Sequence, residues 1–253
     1  MIDYTDTLKN LINNVKSLDS NDHRFLKNIS YPFIPHFEDK FYQTKNKVLI
    51  VGQETRGWLN TLINLLNNEV DTSEIIVKSK NAHEKLYYSD PKRSRFHQYL
   101  KKLKITNNND YIQWLNFYLC DYQNKSFNNL NNPKTGNEKL FQSIRDLSIQ
   151  NLSMQINTLN PKVIFFAGKY HNNYPLLQKA LNVQKEEIEL TTSDLNMQIW
   201  NNNILVFRIP HPAARFKGAN KTRSMALHYF DQYNQIGNLQ QFLVSIKNDR
   251  LTS

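Results

Sequence analysis

Four short apolar runs, separated by stretches of helical spacing, constrain this chain more than any other feature. They read KVLIVG at 47–52, YIQWLNFYL at 111–119, KVIFFAG at 162–168 and NILVFR at 203–208, the last closing on IPHP at 209–212. Apolar runs of this length fit strands buried on both faces. Helical spacing is read at 4–19, where Leu8, Leu11, Ile12, Val15 and Leu18 share a face, and at 58–68, 92–104, 138–158, 174–182 and most of 221–247. Between the first helix and the first strand, Tyr31-Pro32-Phe33-Ile34-Pro35 is extended, because its two prolines break any helix. Strands alternating with helices imply right-handed crossovers and a parallel sheet covered on both faces. The expected fold is therefore a three-layer α/β/α sandwich with a four-stranded, mainly parallel sheet.

With only 6 Gly and 8 Pro and no linker-like stretch in 253 residues, one domain is expected. It comprises an N-terminal extension over 1–46, a core over 47–218 and a C-terminal helical segment over 219–253. A hydrophobic content of 40 % with 12 % aromatics excludes a disordered chain. No apolar run approaches the roughly 18 residues a membrane helix needs. The start, MIDYTDTLKN, lacks the basic and apolar regions of a secretory signal. A cytoplasmic protein is expected, nucleoid-associated if bacterial. The one cysteine, Cys120, excludes a disulfide framework, a CxxC zinc site and a cysteine-ligated iron–sulfur cluster.

The net charge of +10 points to a polyanionic partner, since Lys and Arg gain affinity by releasing counterions from phosphates. Basic residues cluster at Lys92-Arg93-Ser94-Arg95, Lys101-Lys102-Leu103-Lys104 and Arg215-Phe216-Lys217. The alternative is a solvated basic surface. Lysine far outnumbers arginine and asparagine runs are frequent, as in proteins of AT-rich genomes, so the remaining arginines are the informative ones. His23, His36, His83, His97, His171 and His228 show no metal-ligand spacing. No GxxxxGK[ST], GxGxxG or GxSxG motif occurs, so neither a metal nor a nucleotide cofactor is expected.

Parallel sheets bind ligands beyond the carboxyl ends of their strands, which directs attention to the loops starting at Gly52, Asn116, Gly168 and Pro210. The first reads VGQETRGW over 51–58 and sets a carboxylate, a guanidinium and an indole beside a buried strand. The last reads IPHPAARFKG over 209–218, where prolines stiffen the backbone around a histidine and basic residues follow.

Together these loops resemble the uracil-DNA glycosylase superfamily. Its first motif is a strand ending in GQDPY, GMNPG or GEAPG, and its second is a strand ending in HPS. Between them the family has a strand ending in a base-reading asparagine, matched by IQWLN at 112–116, and a PKVIVxLG strand, matched by PKVIFFAG at 161–168. The ordered landmarks cover roughly 47–218. The resemblance implies a monofunctional DNA glycosylase acting on uracil or another damaged base in single- or double-stranded DNA, without metal or cofactor. No Schiff-base lysine stands at either motif, Lys217 being the nearest. The missing cysteines exclude the family's iron–sulfur branches.

Cleaving an N-glycosidic bond leaves an oxocarbenium-like sugar and a base anion, after the nucleotide has been flipped into a pocket. By resemblance, Glu54 is the carboxylate that steadies the cation and orients water, and His211 is the donor that stabilises the leaving base. Asn116 reads the base edge, Gln53 offers its backbone N–H and Trp58 stacks on the base. Arg56, Arg215 and Lys217 meet DNA, and Phe216 or Arg215 wedges into the duplex. Each residue also has a plainer reading. Glu54 pairs with Arg56, His211 bonds its own backbone, Trp58 is a core residue, and Arg215 and Lys217 are solvated.

The chain departs from the family pattern at Thr55, Arg56 and Ala213, where proline, tyrosine or glycine, and serine are usual. Two rival functions stay open, the first of them motivated by these departures. One is a DNA-binding protein of the same fold that has lost catalysis, and the other is a hydrolase of small N-glycosides.

Overall fold

A computed structural model describes residues 2–18, 23–53, 57–67, 71–89, 94–122, 138–168, 173–188 and 195–251. The first half contains helices α1 (Thr5–Lys16), α2 (His23–Leu26), α3 (Lys40–Gln43), α4 (Asn64–Asn67), α5 (Thr72–Tyr87) and α6 (Arg95–Thr106), with strands β1 (Val48–Gly52) and β2 (Ile112–Asn116). The second half contains α7 (Glu138–Leu159), β3 (Val163–Ala167), α8 (Tyr174–Ala180), β4 (Lys185–Ile188), β5 (Asn196–Trp200), β6 (Ile204–Ile209), α9 (Ala219–Ile236) and α10 (Leu239–Leu251).

The sheet corrects the expectation of four strands. It is a mixed six-stranded sheet in the order β2-β1-β3-β6-β5-β4. The four apolar runs are β1, β2, β3 and β6, and they pair in parallel. β5 runs antiparallel to β6, and β4 antiparallel to β5. This hairpin escapes an apolar-run criterion for a physical reason. The first three residues of β4 (KEEI) are exposed at the sheet edge, where water rather than packing covers the side chains.

Helices cover both faces. Successive strand residues point to opposite sides. Phe165 stacks on Phe207 at 4.6 Å and meets Phe230 of α9 edge-on at 5.2 Å. Its neighbour Phe166 meets Tyr174 of α8 at 5.1 Å. α9 and α8 therefore lie on opposite sides of β3.

Several helices differ from the sequence expectation. Of the described residues 58–67, only Asn64–Asn67 is α-helical, and Leu59 sits at φ +57°, a conformation that interrupts a helix. The segment 221–247 is mostly helical as expected, and its helical residues fall into two helices divided at Gly237, whose φ of +70° caps α9. α5 is an additional helix. Its inner stripe is Ile75, Ser79, His83 and Tyr87, so the i, i+4 pattern is half polar and invisible to a hydrophobicity count.

The core is continuous. It joins Leu8, Leu11, Val15, Phe33, Ile34 and Phe41 from the first 46 residues to the central strands and to Phe230, Phe242 and Ile246 near the C-terminus. The extended segment after α2 runs beside the chain leaving β2, with Ser30 N–H donating to the Asp121 carbonyl at 3.0 Å and Phe33 N–H to that of Leu119 at 2.6 Å. Among the described residues no helix is long and apolar enough to cross a membrane.

Candidate functional site

The parallel register sets up one edge. Gly52 pairs with Asn116, Val51 with Phe166, and Ala167 with Ile209, so Asn116, Gly52, Ala167 and Ile209 form a row at the carboxyl ends. β2 and β3 flank β1 on opposite sides, which places a topological switch point there. β1 and β6 are two strand spacings apart, about 10 Å. The loops carrying Gln53 and His211 therefore leave the sheet within a nucleotide's reach of each other.

Asn116 closes β2 and is buried, 6 % exposed. Its Oδ1 accepts the indole N–H of Trp114 at 3.0 Å. The Asn116 amide also lies over the backbone of Gly52: a Cβ at that position would come 2.7 Å from Asn116 Oδ1 and 3.2 Å from Phe96 Cε2. Glycine is required here for space, since its φ is not positive. Trp114 is itself enclosed by Phe33, Phe96, His83 and His97, with ring centroids 5.2, 5.2, 4.9 and 5.1 Å away. Burial pushes the His83 imidazole down to about 3 and lowers that of His97. The box behind Asn116 is thus uncharged at neutral pH.

The chain beyond β2 anchors the first motif loop from both ends. Tyr118 N–H donates to the Gln53 carbonyl at 3.0 Å. The buried Asp121 carboxylate accepts the Gly57 N–H at 2.5 Å. Glu54 and Arg56, between these anchors, lie outside the described residues. Trp58 is 3 % exposed; its indole N–H donates to Ser79 Oγ at 2.8 Å and its ring packs on Phe33 at 5.1 Å. Of the two places open to it in the sequence, a stacking ring or a core residue, Trp58 occupies the core one, its ring lying between α5 and the extended N-terminal segment.

The second motif loop follows β6. His211 Nδ1 accepts the Ala213 N–H at 3.2 Å, and the His211 carbonyl accepts the Ala214 N–H at 2.7 Å. An imidazole that accepts through Nδ1 carries its proton on Nε2 when neutral, which makes Nε2 a donor. Arg215, Phe216 and Lys217 are exposed in the same loop, Phe216 at 52 % despite its size. A backbone bond from Ala219 N–H to the Phe216 carbonyl at 3.1 Å leads the loop into α9.

Arg223, in the second turn of α9, was not signalled by any motif. It is 8 % exposed, and its Nη1 donates to the His211 carbonyl at 2.9 Å. The general rarity of arginine in this chain is the only sequence signal that pointed toward it. Trp114 drew no role of its own within IQWLN, and no motif contains Asp121.

A family model, that of the uracil DNA glycosylase superfamily, matches residues 40–236. The matched span runs from α3 through β1, β2, β3 and β6 to the end of α9, and so contains every loop of the edge described above. No curated protein matches the chain.

Proposed function

The chain belongs to the uracil DNA glycosylase superfamily, and on that premise we propose that it hydrolyses the N-glycosidic bond of uracil or another altered base flipped out of DNA. The observation that carries this reading is the shared carboxyl edge, where Asn116, Gln53 and His211 follow three parallel strands of one sheet, β2, β1 and β6, with β3 between the last two. An extrahelical base fits such an edge because its rim offers hydrogen-bond groups while the sheet floor is apolar.

In this proposal Asn116 reads the base through its amide. Its Oδ1 faces Trp114, so its Nδ2 is the group turned to the other side, suited to a carbonyl oxygen on the base. His211 donates from Nε2 to the base oxygen on which charge develops as the bond breaks. Glu54 stabilises the sugar cation and orients the attacking water. The Gln53 backbone N–H contributes a second donor to the base. Phe216 enters the space the base vacates, and Arg215, Lys217 and Arg56 hold phosphates. Binding DNA in this way uses the chain's +10 charge.

A panel of labelled oligonucleotides carrying uracil, hypoxanthine, xanthine or a methylated base, single- and double-stranded, tests the reading. Release of free base from at least one substrate is expected. Tight, salt-sensitive binding with no release from any of them favours a DNA-binding role without catalysis.

A further inference from the structure

The guanidinium of Arg223 sits where stability alone does not place one. It lies near the N-terminus of α9, whose first turn holds no acidic residue, so its charge opposes the helix dipole. It is 8 % exposed, and among the described residues no carboxylate pairs with it. A buried cation without a counter-ion costs free energy unless its donors are well used.

The donors of Arg223 are used on one feature. Nη1 donates to the His211 carbonyl at 2.9 Å and reaches the Ala214 carbonyl at 3.4 Å. Nη2 reaches the same Ala214 carbonyl at 3.4 Å and also donates to Asn220 Oδ1. One planar fork thus spans both ends of the His211 turn. Inside that turn, Ala213 N–H meets His211 Nδ1 and Ala214 N–H meets the His211 carbonyl. Tyr99 of α6 closes the other side, its hydroxyl lying 3.4 Å from the Arg223 carbonyl.

We propose that Arg223 is the positioning residue of the base-release site: its buried fork fixes the carbonyls of His211 and Ala214, and so fixes the direction of the His211 Nε2–H. The inference rests on the proposed base-release reading for its catalytic consequence. A lysine cannot replace it fully, because one ammonium on a flexible stem does not hold two carbonyls in a plane. Since the side chain is buried behind the loop, it acts on the chemical step rather than on DNA affinity.

The test compares the full-length protein with Arg223→Lys and Arg223→Gln in three measurements. These are single-turnover base release, DNA affinity, and amide hydrogen exchange at Ala213 and Ala214 with the imidazole 15N shifts of His211. Arg223→Gln is expected to slow release about 100-fold, the scale of an ångström-level misplacement, with DNA affinity within about twofold of the parent. Arg223→Lys recovers part of the rate. In both variants, exchange at the two amides quickens and the His211 nitrogens lose their single-tautomer signature. A folded Arg223→Gln with parental release, exchange and 15N shifts overturns the proposal. Should Arg223→Gln not fold, Arg223→Lys decides by the same readouts. If the parent releases no base at all, the functional reading fails, and the exchange and 15N data still decide whether Arg223 positions His211.

Discussion

The indole N–H of Trp114 donates to Oδ1 of Asn116 at 3.0 Å, two residues along the same face of β2. The bond gives the Asn116 amide one orientation out of two. Trp114→Phe keeps most of the aromatic packing and removes the donor. It is expected to destabilise the fold by about 0.5–1.5 kcal/mol, the net contribution of one intramolecular hydrogen bond. It should also slow base release between about tenfold and about 100-fold by freeing the amide. Thermal melting and single-turnover kinetics on one variant measure both effects, and parental kinetics would show that amide orientation does not matter.

Gly52→Ala strikes the same amide from below. The new Cβ would stand 2.7 Å from Asn116 Oδ1, closer than atoms tolerate, so Oδ1 must leave the indole. The expected outcome is a folded protein whose base release is impaired like that of Trp114→Phe. Because the two changes act on one group, the double variant should cost less than the product of the single effects. A double-variant cycle on release rates checks this. Strict additivity contradicts a shared target.

DNA affinity should carry the signature of the His211 loop. Arg215 and Lys217 are exposed beside it, and each is expected to neutralise one phosphate. Arg215→Ala and Lys217→Ala should each flatten the plot of log affinity against log salt by about one unit of slope. Phe216→Ala should weaken duplex binding without changing the slope. Fluorescence anisotropy across a salt series reads all three, and unchanged slopes would move the DNA face elsewhere.

Acid should destabilise the fold through His83. Burial lowers its imidazole to about 3 in the folded protein, against an ordinary value of 6.5. Between those values the unfolded chain binds the proton and the folded one does not, so stability rises with pH there. The contribution is complete above about pH 6.5 and is lost as pH falls toward 3. His83→Phe is expected to flatten the melting curve across that window compared with the parent, while forfeiting the His36 N–H contact to Nδ1. Parallel pH–melting profiles for the two proteins would refute the assignment.

The sheet's parallel centre was legible because strands buried on both faces are mostly apolar, as VIFFA of β3 is. The β4–β5 hairpin was not, because Glu186 and Glu187 of β4 face water and the buried Gln198 interrupts the apolar residues of β5. α5 was missed for the converse reason: Ser79 and His83 are polar yet buried, Ser79 bonding Ile34 and Trp58 and His83 Nδ1 accepting the His36 N–H. At the candidate site, strand ends marked Gly52, Asn116 and His211 because loops beyond a parallel sheet are set by the strands themselves. Both places stayed open for Trp58 because an indole next to a motif looks the same in sequence whether it faces ligand or core. Arg223 and Trp114 act through three-dimensional contacts to His211 and Asn116, which no local pattern encodes.

If the two motif loops perform one reaction, base release by His211→Ala and Glu54→Ala measured beside the parent reveals it. The parent is expected to free a base from at least one modified oligonucleotide. Both variants are expected to lose the rate by about 100-fold or more while still binding DNA. Release at the parental rate from either variant would contradict the site assigned here.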